Sequence, residues 1–224
     1  MTSRFLARLL LLALPISFPA LALPEGFVYL ADAVPQAREE ARYATADNFL
    51  GRPVAGYRAA RVVLSRPAAA ALDKVARELA PFGLGIKVFD GYRPQAAIDD
   101  FARWAADLAD QSTKSRYYPG VAKEHLFRDG YIAAKSGHSR GGTVDLTLVN
   151  LADGRELPMG TPFDFFGPES WPDHPGLPAA ERANRLLLRQ VMTRHGFRPL
   201  REEWWHFTLE NEPYPDRYFN FPLE

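Results

Sequence analysis

Ser136-Gly137-His138-Ser139-Arg140-Gly141-Gly142-Thr143-Val144-Asp145-Leu146-Thr147-Leu148 is the stretch on which the rest of the chain turns. Gly141 and Gly142 permit a tight turn after His138, and residues 143–148 then alternate polar with apolar as a half-buried strand does. Val144, Leu146 and Leu148 are expected to face a core, and Thr143, Asp145 and Thr147 the opposite, polar side. Asp145 would thus project beside whatever His138 reaches. Far downstream, Glu203-Trp204-Trp205-His206 supplies a second imidazole and a second carboxylate. His138, Asp145 and His206 form a donor set suited to zinc with one coordination position left for water, and a nearby Glu203 that does not ligate could act as a base. In an ideal strand Glu203 and His206 would face opposite sides, so either the chain bends there or Glu203 lies in a turn ahead of the strand.

With 224 residues and 47% hydrophobic content, the chain can bury one sizeable core. Lys plus Arg and Asp plus Glu each number 27, so no basic field calls for nucleic acid and no acidic tail for a basic partner. A small molecule is the expected partner, and no protein partner is evident. The absence of Cys excludes disulfides, thiolate ligands, a Cys nucleophile and a lipid anchor on Cys. Arg4 and Arg8, the apolar run from Leu9 to Phe18, and Ala20-Leu21-Ala22 make residues 1–22 a secretory signal. The run is short for a membrane span and is broken by Pro15 and Pro19. Residues 23–224 are then expected as one exported, periplasmic domain without a stable membrane anchor.

Working outward, residues 27–30 and 62–64 read as strands, and Ser65 can cap a helix with Leu72, Val75 and Leu79 inward. A strand over 84–89 leads through Asp90-Gly91-Tyr92-Arg93-Pro94 into a helix over 95–108 that buries Ile98, Phe101, Trp104 and Ala105. Arg93 therefore sits at a strand-to-helix turn, where a rigid frame fixes a side chain. Residues 111–130 look irregular. Asp153-Gly154 makes a turn from which 155–157 can pair back as a hairpin. Residues 158–178 form a loop of functional length, with Asp164 and Phe165-Phe166 as lining for a site. Residues 178–195 are the clearest helix, with Leu186, Leu187, Val191 and Met192 assigned to its buried face and His195-Gly196 closing it. The last strand is expected from about Glu203 through Leu209.

The motif Ser136 to Asp145 resembles the S-x-H-x-x-G-x-A-x-D signature of the zinc D-alanyl-D-alanine peptidases, with Thr143 where the pattern prefers Ala. Glu203-Trp204-Trp205-His206 resembles their E-x-x-H. Asp90 to Pro94, and Tyr43-Ala44-Thr45 through Gly56-Tyr57, are similar to the dipeptidase branch, the VanX type of vancomycin resistance. The resemblance implies an α+β single domain, a small antiparallel sheet with flanking helices of the Hedgehog/DD-peptidase kind. It implies one zinc on His138, Asp145 and His206, Glu203 as general base and acid, and Arg93 as stabiliser of the transition state. It further implies that Tyr43 and Asp164 hold the amine of D-Ala-D-Ala, and that Ser136 with the region of Tyr57 holds its carboxylate. Two alternatives stay open: a carboxypeptidase or other peptidoglycan peptidase acting on stem peptides, and a non-catalytic zinc-binding module of the same fold.

Overall fold

The computed structural model describes residues 23–224; the secretory signal expected over 1–22 lies outside the described residues. Among the described residues, seven strands and five α-helices are arranged as an α+β unit. Strands β1 (Phe27–Tyr29) and β3 (Val63–Ser65) pair antiparallel in a two-stranded sheet. The main sheet has five strands: β2 (Arg38–Glu39), β4 (Leu84–Asp90), β5 (Thr143–Asn150), β7 (His206–Leu209) and β6 (Phe197–Pro199), in the order β2-β4-β5-β7-β6. It is the small antiparallel sheet expected, with one parallel pairing at an edge, where the two-residue β2 runs alongside β4.

Helices α2 (Arg66–Leu79) and α5 (Ala179–Arg194) pack against each other and against β4 and β5 respectively. In α2 the anticipated stripe of Leu72, Val75 and Leu79 is buried, and Pro67 occupies the first turn, where its missing N–H costs nothing. In α3 (Gln95–Ala106), Ile98, Phe101, Trp104 and Ala105 are buried as their spacing predicts. Short helices α1 (Leu30–Ala33) and α4 (Lys114–Tyr117) complete the set. Among the described residues no helix is long and apolar enough to cross a membrane.

Two expectations need correction. Strand β5 is not half-buried: Thr143, Asp145 and Thr147 are as fully buried as Val144, Leu146 and Leu148. On that second face Thr143 Oγ1 meets Thr208 Oγ1 at 2.9 Å, and Asp145 borders a cavity. On α5 the phase of the buried face is different. Arg185, Leu188, Val191 and Met192 point inward, whereas Leu186 and Leu187 are 45% and 38% exposed. Apolar identity suggested the wrong side because the inward position one turn before Leu188 belongs to an arginine.

The hairpin after β5 forms as anticipated, with Leu157 N donating to Leu148 O and Val149 bridging Glu156. The segment ending in Leu223 acts as a strap. Phe219 N donates to Ser139 O, Gln95 N to Phe219 O, and Ala96 N at the start of α3 to Asn220 Oδ1. Tyr92 and Phe221 exchange hydrogen bonds through the Tyr92 hydroxyl, and their rings stack at 3.9 Å. The strap thereby ties the loop of His138 to the loop of Arg93.

Candidate metal centre

Sheet register assembles the centre. Asp145 on β5 lies opposite His206 on β7, and on the other side opposite Asp90 on β4. Directly opposed residues have Cβ atoms only about 5 Å apart, so three functional side chains form one row across three strands. The row depends on an irregularity between Val88 and Asp90. Val88 opposes Leu146, so regular pairing would bring Phe89 opposite Asp145. The extra residue puts Asp90 there instead, because a shift of one residue exchanges the faces of a strand.

His138 comes from a single 3-10 turn, Gly137–Arg140, capped by Ser136, whose Oγ accepts from His138 N. The turn ends at Gly141 with φ +78°, where a Cβ would fall 2.4 Å from the Phe27 ring, so both conformation and space require glycine. His138 Nδ1 donates to Gly91 O at 2.7 Å, which leaves the Nε2 lone pair facing the centre. That nitrogen is 3.3 Å from His206 Nδ1 and 3.3 Å from Asp145 Oδ2, while His206 Nδ1 is 3.1 Å from Asp145 Oδ1. Candidate ligand atoms of the three residues all lie within 4.8 Å of one another. Glu203 lies in the turn ahead of β7, the second of the two arrangements open from sequence, and its Oε2 is 3.4 Å from His206 Nδ1. Trp204 and Trp205 are buried behind it, and Trp205 O accepts from Leu146 N on β5.

Arg93 is held from three directions. Its Nε donates to Asp90 Oδ2 at 2.8 Å, its Nη2 lies 3.4 Å from Asp145 Oδ2, and its guanidinium stacks over Tyr43 at 4.9 Å. Asp90 in turn accepts from Tyr57 OH at 2.6 Å. Tyr43 OH donates to Asp164 Oδ1 at 3.1 Å, and Asp164 Oδ2 is buried without a partner. Asp164 is also the one non-glycine residue with positive φ among the described residues, at +62°.

A cavity of about 250 Å³ opens onto this group, lined by Tyr43, Arg93, Ser136, Asp145, Asp164, Glu203 and His206 among others. Tyr57 is not among them; its hydroxyl donates to Asp90, whose other oxygen holds Arg93. Sequence reading gave Asp90 no role, although its place three residues before Arg93 was visible. Tyr131 and Phe166, which stack at 5.3 Å and line the cavity, were not singled out as a pair because they are thirty-five positions apart.

The donor set fits a divalent cation. Four carboxylates, Asp90, Asp145, Asp164 and Glu203, are gathered around the single guanidinium of Arg93. Burial pushes Glu203 up to about 7, and burial with the nearby Asp145 charge raises Asp164 well above the carboxylate range. Burial works against the Asp145 anion as well, yet the His138 and His206 imidazoles hold its carboxyl below its ordinary value. Burial lowers His138, favouring the neutral imidazole that can ligate. A cluster of buried carboxyls that burial hinders from ionising, with two imidazole nitrogens beside it, is the environment a dication completes.

The family model described as D-ala-D-ala dipeptidase, peptidase family M15, matches residues 24–224. A D-alanyl-D-alanine dipeptidase of Enterococcus faecalis is 44% identical over 198 residues, covering 88% of this chain and 98% of the relative. One from Streptomyces coelicolor is 46% identical over 197 residues, covering 88% and 98%. One from Escherichia coli is 36% identical over 182 residues, covering 81% and 83%. With a family match along residues 24–224 and relatives 36–46% identical over most of the chain, the chain belongs to the D-ala-D-ala dipeptidase family of M15 peptidases.

Proposed function

We propose that this protein is a zinc metallodipeptidase that hydrolyses D-alanyl-D-alanine to two molecules of D-alanine. The observation that carries the reading is the triangle of His138, Asp145 and His206 with Glu203 at its edge, opening on a cavity of about 250 Å³. Zinc held by the triangle would supply Lewis acidity, polarising the scissile carbonyl and easing deprotonation of a water. Glu203 Oε2 takes the proton of the attacking water and later delivers it to the leaving amine; a carboxyl lifted to about 7 can do both near neutrality. Arg93, kept in place by Asp90, donates to the oxyanion that develops on the carbonyl oxygen. The unpartnered Asp164 Oδ2, with Tyr43 on the other oxygen, receives the substrate ammonium, and Ser136 faces the cavity for the carboxylate.

A dipeptide is favoured over a stem peptide by the small volume and by the buried Asp164, which asks for a free amine at that point. Purified protein should release D-alanine from free D-Ala-D-Ala far faster than from a stem pentapeptide, and a chelator should stop it until zinc is restored. Comparable turnover of the pentapeptide would favour the carboxypeptidase, and no turnover of either would favour the non-catalytic module.

Export belongs to the same reading, on the composition of residues 1–22. N-terminal sequencing of the mature protein should begin at Leu23, and an intact Met1 on cytosolic protein would overturn it.

A further inference from the structure

Burying a guanidinium is costly unless its donors are satisfied, and α5 buries one: Arg185 is 2% exposed, with none of its hydrogen bonds made to a carboxylate. Nε donates to Met159 O at 2.6 Å, Nη1 to Trp171 O at 2.7 Å and Nη2 to Thr161 Oγ1 at 3.3 Å. Met159 and Trp171 are the two ends of the segment that carries Asp164, so one side chain closes the base of that loop. Neighbouring positions on α5 reinforce it, with Asn184 donating to Pro158 O and Arg182 to Leu177 O.

Thr161 extends the grip to the catalytic glutamate's neighbour. Its Oγ1 also accepts from Trp204 Nε1 at 2.9 Å and lies 3.0 Å from Ser170 Oγ. Ser170 Oγ donates to Phe165 O at 2.6 Å, so the hydroxyl protons run one way, from Thr161 to Ser170 to Phe165. Trp204 N closes the circuit by donating to Ser170 O at 3.0 Å. A chain of aligned donors of this kind is stronger than its separate bonds and leaves the loop one arrangement. Asp164 needs such support, because a non-glycine residue at φ +62° persists only where its surroundings over-determine it.

We infer that Arg185 is a positioning residue for substrate recognition: acting through Thr161, it locks the Asp164 loop to the Glu203-Trp204 segment and so fixes where the substrate ammonium is received. The inference rests on the dipeptidase reading. It is specific about the kinetic consequence, since Arg185 touches neither the metal triangle nor the cavity lining.

The test compares wild type with Arg185→Met and Thr161→Val, each as zinc-loaded full-length mature protein. KM and kcat are measured on D-Ala-D-Ala, with the inhibition constant of the analogue bearing a hydroxyl in place of the amine. Both variants should keep their zinc and raise KM about tenfold, with kcat altered less than about threefold, because a ground-state contact to the ammonium is loosened. The analogue, which has no ammonium, should bind within about twofold of wild type. Unchanged KM, or KM and the analogue's constant rising together, would overturn the clamp even if the melting temperature falls. Should Arg185→Met fail to fold, Thr161→Val decides alone. Wild type inactive on D-Ala-D-Ala would instead overturn the dipeptidase reading.

Discussion

Asp90 and Arg93 form a buried ion pair at 2.8 Å that reaches across the end of β4, and a bulge at Phe89 places the aspartate where the arginine needs it. Asp90 meets Tyr57 with one oxygen and Arg93 with the other, so the guanidinium keeps a single orientation beside Asp145.

Asp90→Asn should therefore lower kcat by roughly ten- to a hundredfold while zinc content stays near one per chain, because the carboxylate that aims Arg93 is lost but no candidate ligand is. Tyr57→Phe should be milder, costing about 1 kcal/mol of stability for one hydrogen bond. Steady-state kinetics with elemental analysis checks both; loss of zinc from Asp90→Asn would show that the residue serves the metal instead.

Glu203→Gln and His206→Ala should separate in metal content. The first leaves all three ligands in place, so it should bind zinc normally and lose at least about 10² to 10⁴ in turnover. The second removes a ligand and should lose zinc and activity together. A zinc-loaded Glu203→Gln protein that works nearly as fast as wild type would rule out the proposed base.

Removing zinc should make stability fall as pH rises. In the metal-free fold burial lifts Glu203 from 4.5 to about 7, so the folded state binds more protons than the unfolded chain between those values. Stability from this group is complete below pH 4.5 and is lost as pH rises through about 7. Chelated protein should thus melt lower at pH 7.5 than at pH 5.5, and saturating zinc should flatten the difference. Equal melting temperatures for the chelated protein at both values would contradict the charge imbalance described for the centre.

The phase of α5 gives a stability test. Leu188→Ala should cost about 2–5 kcal/mol, whereas Leu186→Gln and Leu187→Gln should each stay within about 0.5 kcal/mol, since only the first empties a packed site. Denaturant unfolding measures all three, and a large loss at Leu187 would restore the helix face read from sequence.

What could be read in advance followed from short-range periodicity and from motif. The stripes of α2 and α3, the course of β5 and the turn at Gly141 are local consequences of residue type, and the candidate ligands His138, Asp145 and His206 stood out because their chemistry is distinctive. Arg185 was hidden for the opposite reason: an arginine is assigned to solvent until its acceptors are known, and these are two backbone carbonyls and the Thr161 hydroxyl, 14 to 26 positions away. The burial of Thr143 and Thr147 depends on what covers the second face of β5, which alternation along one strand does not report. Asp90 was obscured by the bulge, because strict alternation would have sent its side chain to the other face. Strand β2 is two residues long and has no period to read.

The strap over residues 219–223 also bears on when the protein becomes competent. His138 and Asp145 leave the ribosome well before His206, and the strap that fastens their loop to that of Arg93 follows later still. A growing chain therefore lacks the second imidazole until residue 206 has been added, and lacks the tie between the two loops until residues 219–221 have followed. The assembled centre rests on long-range closures that join distant parts of the polypeptide, the kind of contact that is slow to form.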